Sequence, residues 1–150
     1  MSRPNKSIPQ QGRIYFWKYK TDGWLGSEWH LTADLPGCDF LSRLFVTMQK
    51  SEFPYETALS ITPVTQNILR IPNYNSPFKN IEELRFSFQP SAPRHYDWII
   101  VDNKNSVEII FGKAMLTEWI NAVQNIKSGV ENTLIGLHED YSIFVWHMPK

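Results

Sequence analysis

The single cysteine of this sequence, Cys38, is its best-placed candidate nucleophile. It falls where the sequence predicts the start of a helix, and the dipole at a helix N-terminus lowers the pKa of a thiol. The competing interpretation is that Cys38 is a small buried apolar residue beside the Pro36-Gly37 turn, and we favour it. No Gly-x-Ser-x-Gly nucleophile elbow is present.

A zinc site would need several cysteine or histidine ligands at paired spacing, and the sequence lacks them. One cysteine excludes thiolate clusters, and the histidines are scattered: His30, His95, His138 and His147. His30 and Asp34 would share one strand face, but roughly 13 Å apart, which is too far for a hydrogen bond. The sequence therefore predicts no metal. An enzyme that uses Cys38 or a histidine such as His30 in a site assembled in space is the second hypothesis.

Neither phosphate-binding loops nor paired acid and base groups are found in the sequence. Gly112-Lys113 resembles the end of a P-loop, but Ala114 stands where Ser or Thr is needed, and no Gly-x-Gly-x-x-Gly occurs. The carboxylate pairs Glu82-Glu83 and Glu139-Asp140 are sequence neighbours, whose side chains point in different directions. We therefore predict no cofactor and favour a protein that is not an enzyme.

Aromatic residues crowd the first predicted hairpin in larger numbers than one sheet face can readily bury. We expect most of them to form a core cluster with the helices, and any exposed ones to contact a partner protein. Stacking on single-stranded bases is disfavoured because the net charge is zero. The candidate binding residues, with one from the loop at residues 72–80, are Tyr15, Trp17, Tyr19, Trp24, Trp29 and Tyr74.

The composition predicts one compact domain. The chain has 150 residues with 15 basic and 15 acidic side chains, and no apolar run approaches the roughly 18 residues of a membrane-spanning helix. Residues 1–12 are polar and predict a flexible N-terminal leader before a domain at residues 13–150. Because one cysteine cannot form an intrachain disulfide, we expect a reducing, cytoplasmic location.

The hydrophobic periodicity predicts strands and two amphipathic helices. A helix beginning near Asp39 carries the apolar stripe at positions 40, 41, 44, 45 and 48, and a second runs through residues 115–126 to a C-cap at Gly129. The last strand is apolar on both faces and therefore central. The predicted strands cover residues 13–19, 29–35, 57–62, 67–71, 83–89, 98–101, 107–111 and 141–148.

Along the chain, the predicted elements are two strands, a helix, several strands, a helix and a last strand. This order predicts an α+β fold, a single-domain antiparallel β-sheet with two amphipathic helices packed on one face. The favoured function is a small intracellular, non-catalytic protein-binding module, with neither nucleic acid nor membrane as its partner. By analogy, small neutral α+β proteins of bacteria often neutralise a cognate toxin, which suggests an immunity-like role. The third hypothesis, after the enzyme, is a structural homodimer formed through a sheet edge or an aromatic patch.

Overall fold

A computed structural model describes residues 8–20, 29–72, 77–91, 98–136 and 142–149. It confirms the α+β class, with helices and strands mixed along the chain. The elements are β1 (Ile14–Tyr19), β2 (Trp29–Ala33), α1 (Leu35–Gln49), β3 (Tyr55–Ser60), α2 (Gln66–Leu69), β4 (Phe78–Asn80), β5 (Glu83–Phe88), β6 (Trp98–Asn103), β7 (Ser106–Phe111), α3 (Lys113–Lys127), β8 (Asn132–Ile135) and β9 (Ile143–Trp146).

The described strands form two sheets, where the sequence predicted a single antiparallel one. Sheet A has the order β4-β1-β2-β9-β8, and sheet B has the order β3-β5-β7-β6. Each sheet contains one parallel pair, β2 with β9 and β5 with β7, and its other pairs are antiparallel. Each parallel pair joins two strands that are not consecutive in the chain. Most of the chain separates β2 from β9, and the strand β6 separates β5 from β7. β9 lies inside sheet A, which confirms the prediction made from its two apolar faces.

Helix α1 begins earlier than its apolar stripe predicted. Asp34 is the N-cap, and its Oδ1 accepts hydrogen bonds from the backbone N–H groups of Gly37 (2.8 Å) and Arg13 (2.9 Å). Pro36 fits within the first turn, where the missing N–H has no intrahelical partner to lose. Gly12 packs against this turn with φ +74°, and a Cβ on it would lie 2.1 Å from the Gly37 nitrogen. Because Asp34 is the N-cap, α1 begins at Leu35, and the predicted start near Asp39 was wrong by about one turn.

Helices α1 and α3 pack against each other and contact the inner faces of both sheets. Trp119 of α3 lies with its ring centroid 5.4 Å from both Phe45 of α1 and Phe86 of β5. The inner face of sheet A belongs to the same apolar core through residues such as Phe16 and Leu31. One continuous core therefore holds both sheets and both long helices together.

The outer face of sheet A is covered by α2, which overlaps the predicted strand at residues 67–71. That strand prediction was wrong. Thr65 caps the short helix, since its Oγ1 accepts from the Ile68 N–H at 3.4 Å. Ile68 and Leu69 then pack on the aromatic side chains of the sheet. The sequence also missed β4, which lies within the predicted loop at residues 72–80, and β8.

The described part of the predicted leader, residues 8–12, contacts the domain. The side-chain amide of Gln10 donates to the Ser60 carbonyl (2.8 Å) and accepts from the Ser60 N–H (2.9 Å). These are the two hydrogen bonds that a neighbouring strand would make, so Gln10 occupies one position on the edge of β3 that pairs with no described strand. Residues 1–7 lie outside the described residues.

Candidate functional site

Cys38 lies in the first turn of α1, as predicted, but its environment disfavours the thiolate. Its side chain is 3% exposed, and Sγ donates to the Ala33 carbonyl at 3.7 Å. Burial raises the pKa of the Cys38 thiol to about 11, and the carboxylates of Asp34 and Asp39 act in the same direction. The thiol is therefore protonated at neutral pH. This supports the interpretation of Cys38 as a buried apolar residue.

His30 is fully buried in an aromatic cluster on the outer face of sheet A. Its ring stacks between Trp17 and Phe144, with centroid distances of 5.4 and 5.5 Å. The Trp146 Nε1–H donates to His30 Nδ1 at 3.1 Å. Because an indole N–H can only donate, Nδ1 carries no proton and His30 is neutral.

The other titratable candidates that the structure describes each make separate structural contacts. Asp34 caps α1. Glu83 lies 3.5 Å from Arg85 in an ion pair that is nearly half exposed. His147 Nδ1 lies 2.6 Å from the Ile126 carbonyl oxygen. Within the ranges that the structure describes, no group of three or more His, Cys, Asp or Glu side chains could hold a metal ion. His95, His138 and the Glu139-Asp140 pair lie outside those ranges.

Four of the six candidate binding residues are described, and all four are buried, between 0 and 5% exposed. Tyr15, Trp17 and Tyr19 belong to the aromatic cluster beneath α2, and Trp29 stacks on Phe16 at 5.0 Å in the main core. In the folded monomer these side chains offer little contact area to a partner. The remaining two candidates, Trp24 and Tyr74, lie outside the described residues.

Large apolar side chains are instead exposed on α1 and in the turn after it. Leu35, Val46 and Phe53 are 60, 38 and 56% exposed. Leu35 and Val46 are three helical turns apart, so they lie on one side of the helix at a separation of about 16 Å. Ser51 fixes the turn that carries Phe53, because its Oγ donates to the Phe53 carbonyl (2.7 Å) and accepts from the Phe53 N–H (3.3 Å).

A shallow groove of about 430 Å³ lies beside this helix, between α1 and the segment that precedes β1. Its lining residues are Ile8, Ser42, Arg43, Val46 and Thr47. Arg43 Nη2 donates to Gln11 Oε1 at 3.0 Å, which holds the guanidinium at the wall of the groove. We call Leu35, Phe53 and the groove residues together the α1 surface. It combines exposed apolar side chains with one positioned cation.

Sequence reasoning missed the α1 surface for a physical reason. The apolar stripe of α1 indicates which face is buried, whereas Leu35 and Val46 lie off that stripe as isolated apolar residues. Single exposed apolar residues are common on protein surfaces and carry no signal of their own. The signal appears only when the helix brings Leu35 and Val46 to one side and the leader segment adds Ile8.

No family model, curated protein or solved structure matches this chain. Among the described residues, no helix has both the length and the apolar character needed to cross a membrane.

Proposed function

We propose that this chain is a small, non-catalytic binding module that contacts another protein through the α1 surface. The observation that carries the proposal is the exposure of Leu35, Val46 and Phe53 on one helix and the turn after it. Val46 lines a groove beside a positioned arginine, and apolar side chains together with arginine are typical of the centre of a protein interface. Tyr15, Trp17 and Tyr19 of β1, by contrast, are buried in the aromatic cluster beneath α2.

The chemistry of the α1 surface indicates the kind of partner segment that would fit it. The groove between Ile8 and Val46 accepts one or two apolar side chains. Arg43 stands at its wall and favours a carboxylate beside those side chains. Asp39, which lies between Leu35 and Val46 on the helix, is paired with Lys127 of α3. A partner with apolar residues flanked by Asp or Glu therefore complements the surface.

A protonated thiol and a neutral buried histidine support a role without catalysis. Cys38 would need a thiolate to act as a nucleophile, but burial and two carboxylates favour its thiol form. His30 would need access to a substrate, but it is fully enclosed by aromatic rings. Both residues have a packing role that accounts for their position.

An immunity-like role is the more specific form of the proposal. In it, the partner is a cognate toxin of a bacterial cell, and binding through the α1 surface neutralises it. The single buried cysteine suits a reducing compartment, so we also propose a cytoplasmic location.

The proposal is tested by partner capture with matched surface variants. Proteins from a lysate of the source organism are captured on the wild-type chain, on Leu35→Asp, on Val46→Asp and on Asn121→Asp. The last is the control, since Asn121 is an exposed residue of α3. We expect both α1 variants to weaken binding of the captured partner at least about tenfold and the control to leave it unchanged. Titration of the purified partner measures this change.

The circular dichroism spectrum and the melting temperature of each variant show whether the fold is preserved. Leu35→Asp places a carboxylate at the start of α1, where the helix dipole favours it. Folded α1 variants that bind the captured partner with wild-type affinity would contradict the proposal.

A further inference from the structure

The short segment before β1, residues 8–12, is fixed to α1 at its C-terminal end. Gly12 has φ +74° and lies so close to the first turn of α1 that a Cβ on it would overlap the Gly37 nitrogen. The next residue, Arg13, donates its N–H to Asp34 Oδ1 at 2.9 Å. The position of this end is therefore set by backbone contacts with the helix.

The other end of the segment is held by the side chain of Gln10. Its amide makes two hydrogen bonds with the backbone of Ser60, one to the carbonyl at 2.8 Å and one from the N–H at 2.9 Å. Both residues are exposed, so water competes for these hydrogen bonds. The contact can therefore open without burying a polar group that has lost its partner.

The same segment forms one wall of the groove on the α1 surface. Ile8 and Val46 both line the groove, and Ile8 is half-buried and packs against the main core. Gln11 accepts the hydrogen bond of Arg43 Nη2 at 3.0 Å, so the segment also positions the cation of the groove. The shape of the groove and the location of its charge therefore depend on where residues 8–12 lie.

We propose that residues 8–12 are a strap held in place by Gln10, and that the groove has its binding form only while the strap is held. Gln10 is a positioning residue, since it contacts Ser60 and acts on the groove through Ile8 and Gln11. The consequence for partner binding rests on the function proposed for the α1 surface, whereas the holding of the strap does not. Because only molecules with a held strap bind, the apparent affinity falls in proportion to their fraction.

Two substitutions in the full chain test whether Gln10 holds the strap. Gln10→Ala removes both hydrogen bonds, while Ser60→Ala is the matched control because it keeps the two backbone groups that Gln10 contacts. Backbone order parameters from NMR relaxation are about 0.85 for a rigid segment and below about 0.6 for a flexible one. At Ile8 and Gln11 we expect rigid values in the wild type and in Ser60→Ala, and flexible values in Gln10→Ala.

Gln10→Glu adds a pH profile that a packing role of this side chain would not produce. A carboxylate accepts hydrogen bonds but cannot donate to the Ser60 carbonyl, whereas a protonated carboxyl group can do both, as the amide does. We expect the strap of this variant to be flexible at pH 7 and rigid at about pH 3.5, below the usual Glu pKa of roughly 4.3. The wild-type strap, which carries the amide, should be rigid at both pH values.

The affinity for the partner captured on the α1 surface measures the consequence for binding. We expect Gln10→Ala to weaken it at least about threefold and Ser60→Ala to leave it within about twofold. Wild-type affinity of Gln10→Ala for a partner that Val46→Asp binds more weakly would show that the strap does not form part of the site, and would overturn the proposal.

The order parameters decide the holding of the strap without any partner. A flexible strap in the wild type, a rigid one in Gln10→Ala at pH 7, or a strap in Gln10→Glu that stays flexible at about pH 3.5 while the wild type is rigid would each overturn the proposal. Failure of the proposed function gives a different result. In that case Val46→Asp binds the partner as the wild type does, while the order parameters still respond to Gln10.

Discussion

At the scale of single residues, burial outweighs the helix dipole at Cys38. The dipole of α1 favours a negative charge, such as a thiolate, at the helix N-terminus by about 0.3–1 kcal/mol. Removing the thiolate from water costs more, and Asp34 and Asp39 add two nearby negative charges. The sequence shows the position of Cys38 on the helix, but it does not show that the side chain points into the core. This buried orientation decides that Cys38 is a thiol and not a thiolate at neutral pH.

The raised pKa of Cys38 predicts a pH dependence of stability. The thiol titrates near 9.0 in the unfolded chain and near 11 in the folded protein. Its contribution to stability is therefore complete below pH 9 and is lost as the pH rises through 11. We expect the unfolding free energy of the wild type to fall by about 1 kcal/mol more than that of Cys38→Ala between about pH 8 and pH 10.5, after allowance for solvent screening. Urea denaturation at each pH measures the difference.

Thiol labelling provides the control for this prediction. At pH 8 we expect a thiol reagent to modify folded Cys38 slowly and the urea-unfolded chain rapidly. Rapid labelling of the folded protein, or parallel pH profiles for the wild type and Cys38→Ala, would contradict the assignment of Cys38 as a buried thiol. Rapid labelling would also support the hypothesis of an enzyme that uses Cys38.

The aromatic residues of β1 mark the limit of prediction at the residue scale. Their abundance was visible in the sequence. The sequence did not show that α2 covers the second face, because Ile68 and Leu69 lie in a run too short to identify as a helix. Burial on both sides of sheet A follows from that cover.

At the scale of elements, local signals predicted the long helices and most strands, including the short β9, but missed α2, β4 and β8. α3 has a complete apolar stripe and a C-terminal glycine at positive φ, so its limits were predicted well. β4 has three residues and β8 has four, which is too few for a periodicity to appear. The parallel pairs β2–β9 and β5–β7 depend on contacts between distant segments, for which a single sequence carries no local signal.

The N-cap of α1 predicts a stability effect that depends on one oxygen atom. Asp34 Oδ1 accepts from Gly37 N–H at the start of the helix and from Arg13 N–H at the start of β1. Asp34→Ala removes the single acceptor of both hydrogen bonds, and we expect a loss of about 1–2 kcal/mol of unfolding free energy. Asp34→Asn keeps an acceptor at the same position and is the matched control, with an expected loss below about 0.5 kcal/mol. Urea denaturation followed by far-UV circular dichroism measures both.

The difference in unfolding free energy between Asp34→Ala and Asp34→Asn shows whether the side-chain acceptor stabilises the junction of β1 and α1. If the alanine variant is as stable as the asparagine variant, the side-chain acceptor does not hold β1 and α1 together. Gly12 would then be the main restraint at this junction, since its close approach to Gly37 tolerates no side chain.

At the scale of the whole molecule, the described residues share one core across both sheets. Phe16 and Leu31 of sheet A belong to the same apolar cluster as Phe86 and Phe111 of sheet B. Helices α1 and α3 contact both sheets, and the ion pair of Lys79 with Asp102 joins β4 to β6 directly. Because neither sheet has its inner face covered without these helices, we expect both sheets to unfold in a single transition.

Trp119 lies where this cooperativity can be tested. It is fully buried, and its ring lies 5.4 Å from Phe45, 5.4 Å from Phe86 and 6.4 Å from Trp98. We expect Trp119→Ala to lower the unfolding free energy by about 3–5 kcal/mol because it leaves a large cavity. Trp119→Phe is the control and should cost less, since Trp119 Nε1 has no hydrogen-bond partner among the described residues and the smaller ring breaks none.

Hydrogen exchange distinguishes one cooperative unit from two. Although Trp119 has its ring contacts with sheet B, a shared core requires Trp119→Ala to speed amide exchange equally in β2 of sheet A and in β7 of sheet B. Loss of protection in β7 with unchanged protection in β2 would show that sheet A is stable without the helix layer. In that case the aromatic cluster around His30, with α2 as its cover, would be the more stable unit, and the two sheets would have to be treated as separate cooperative units.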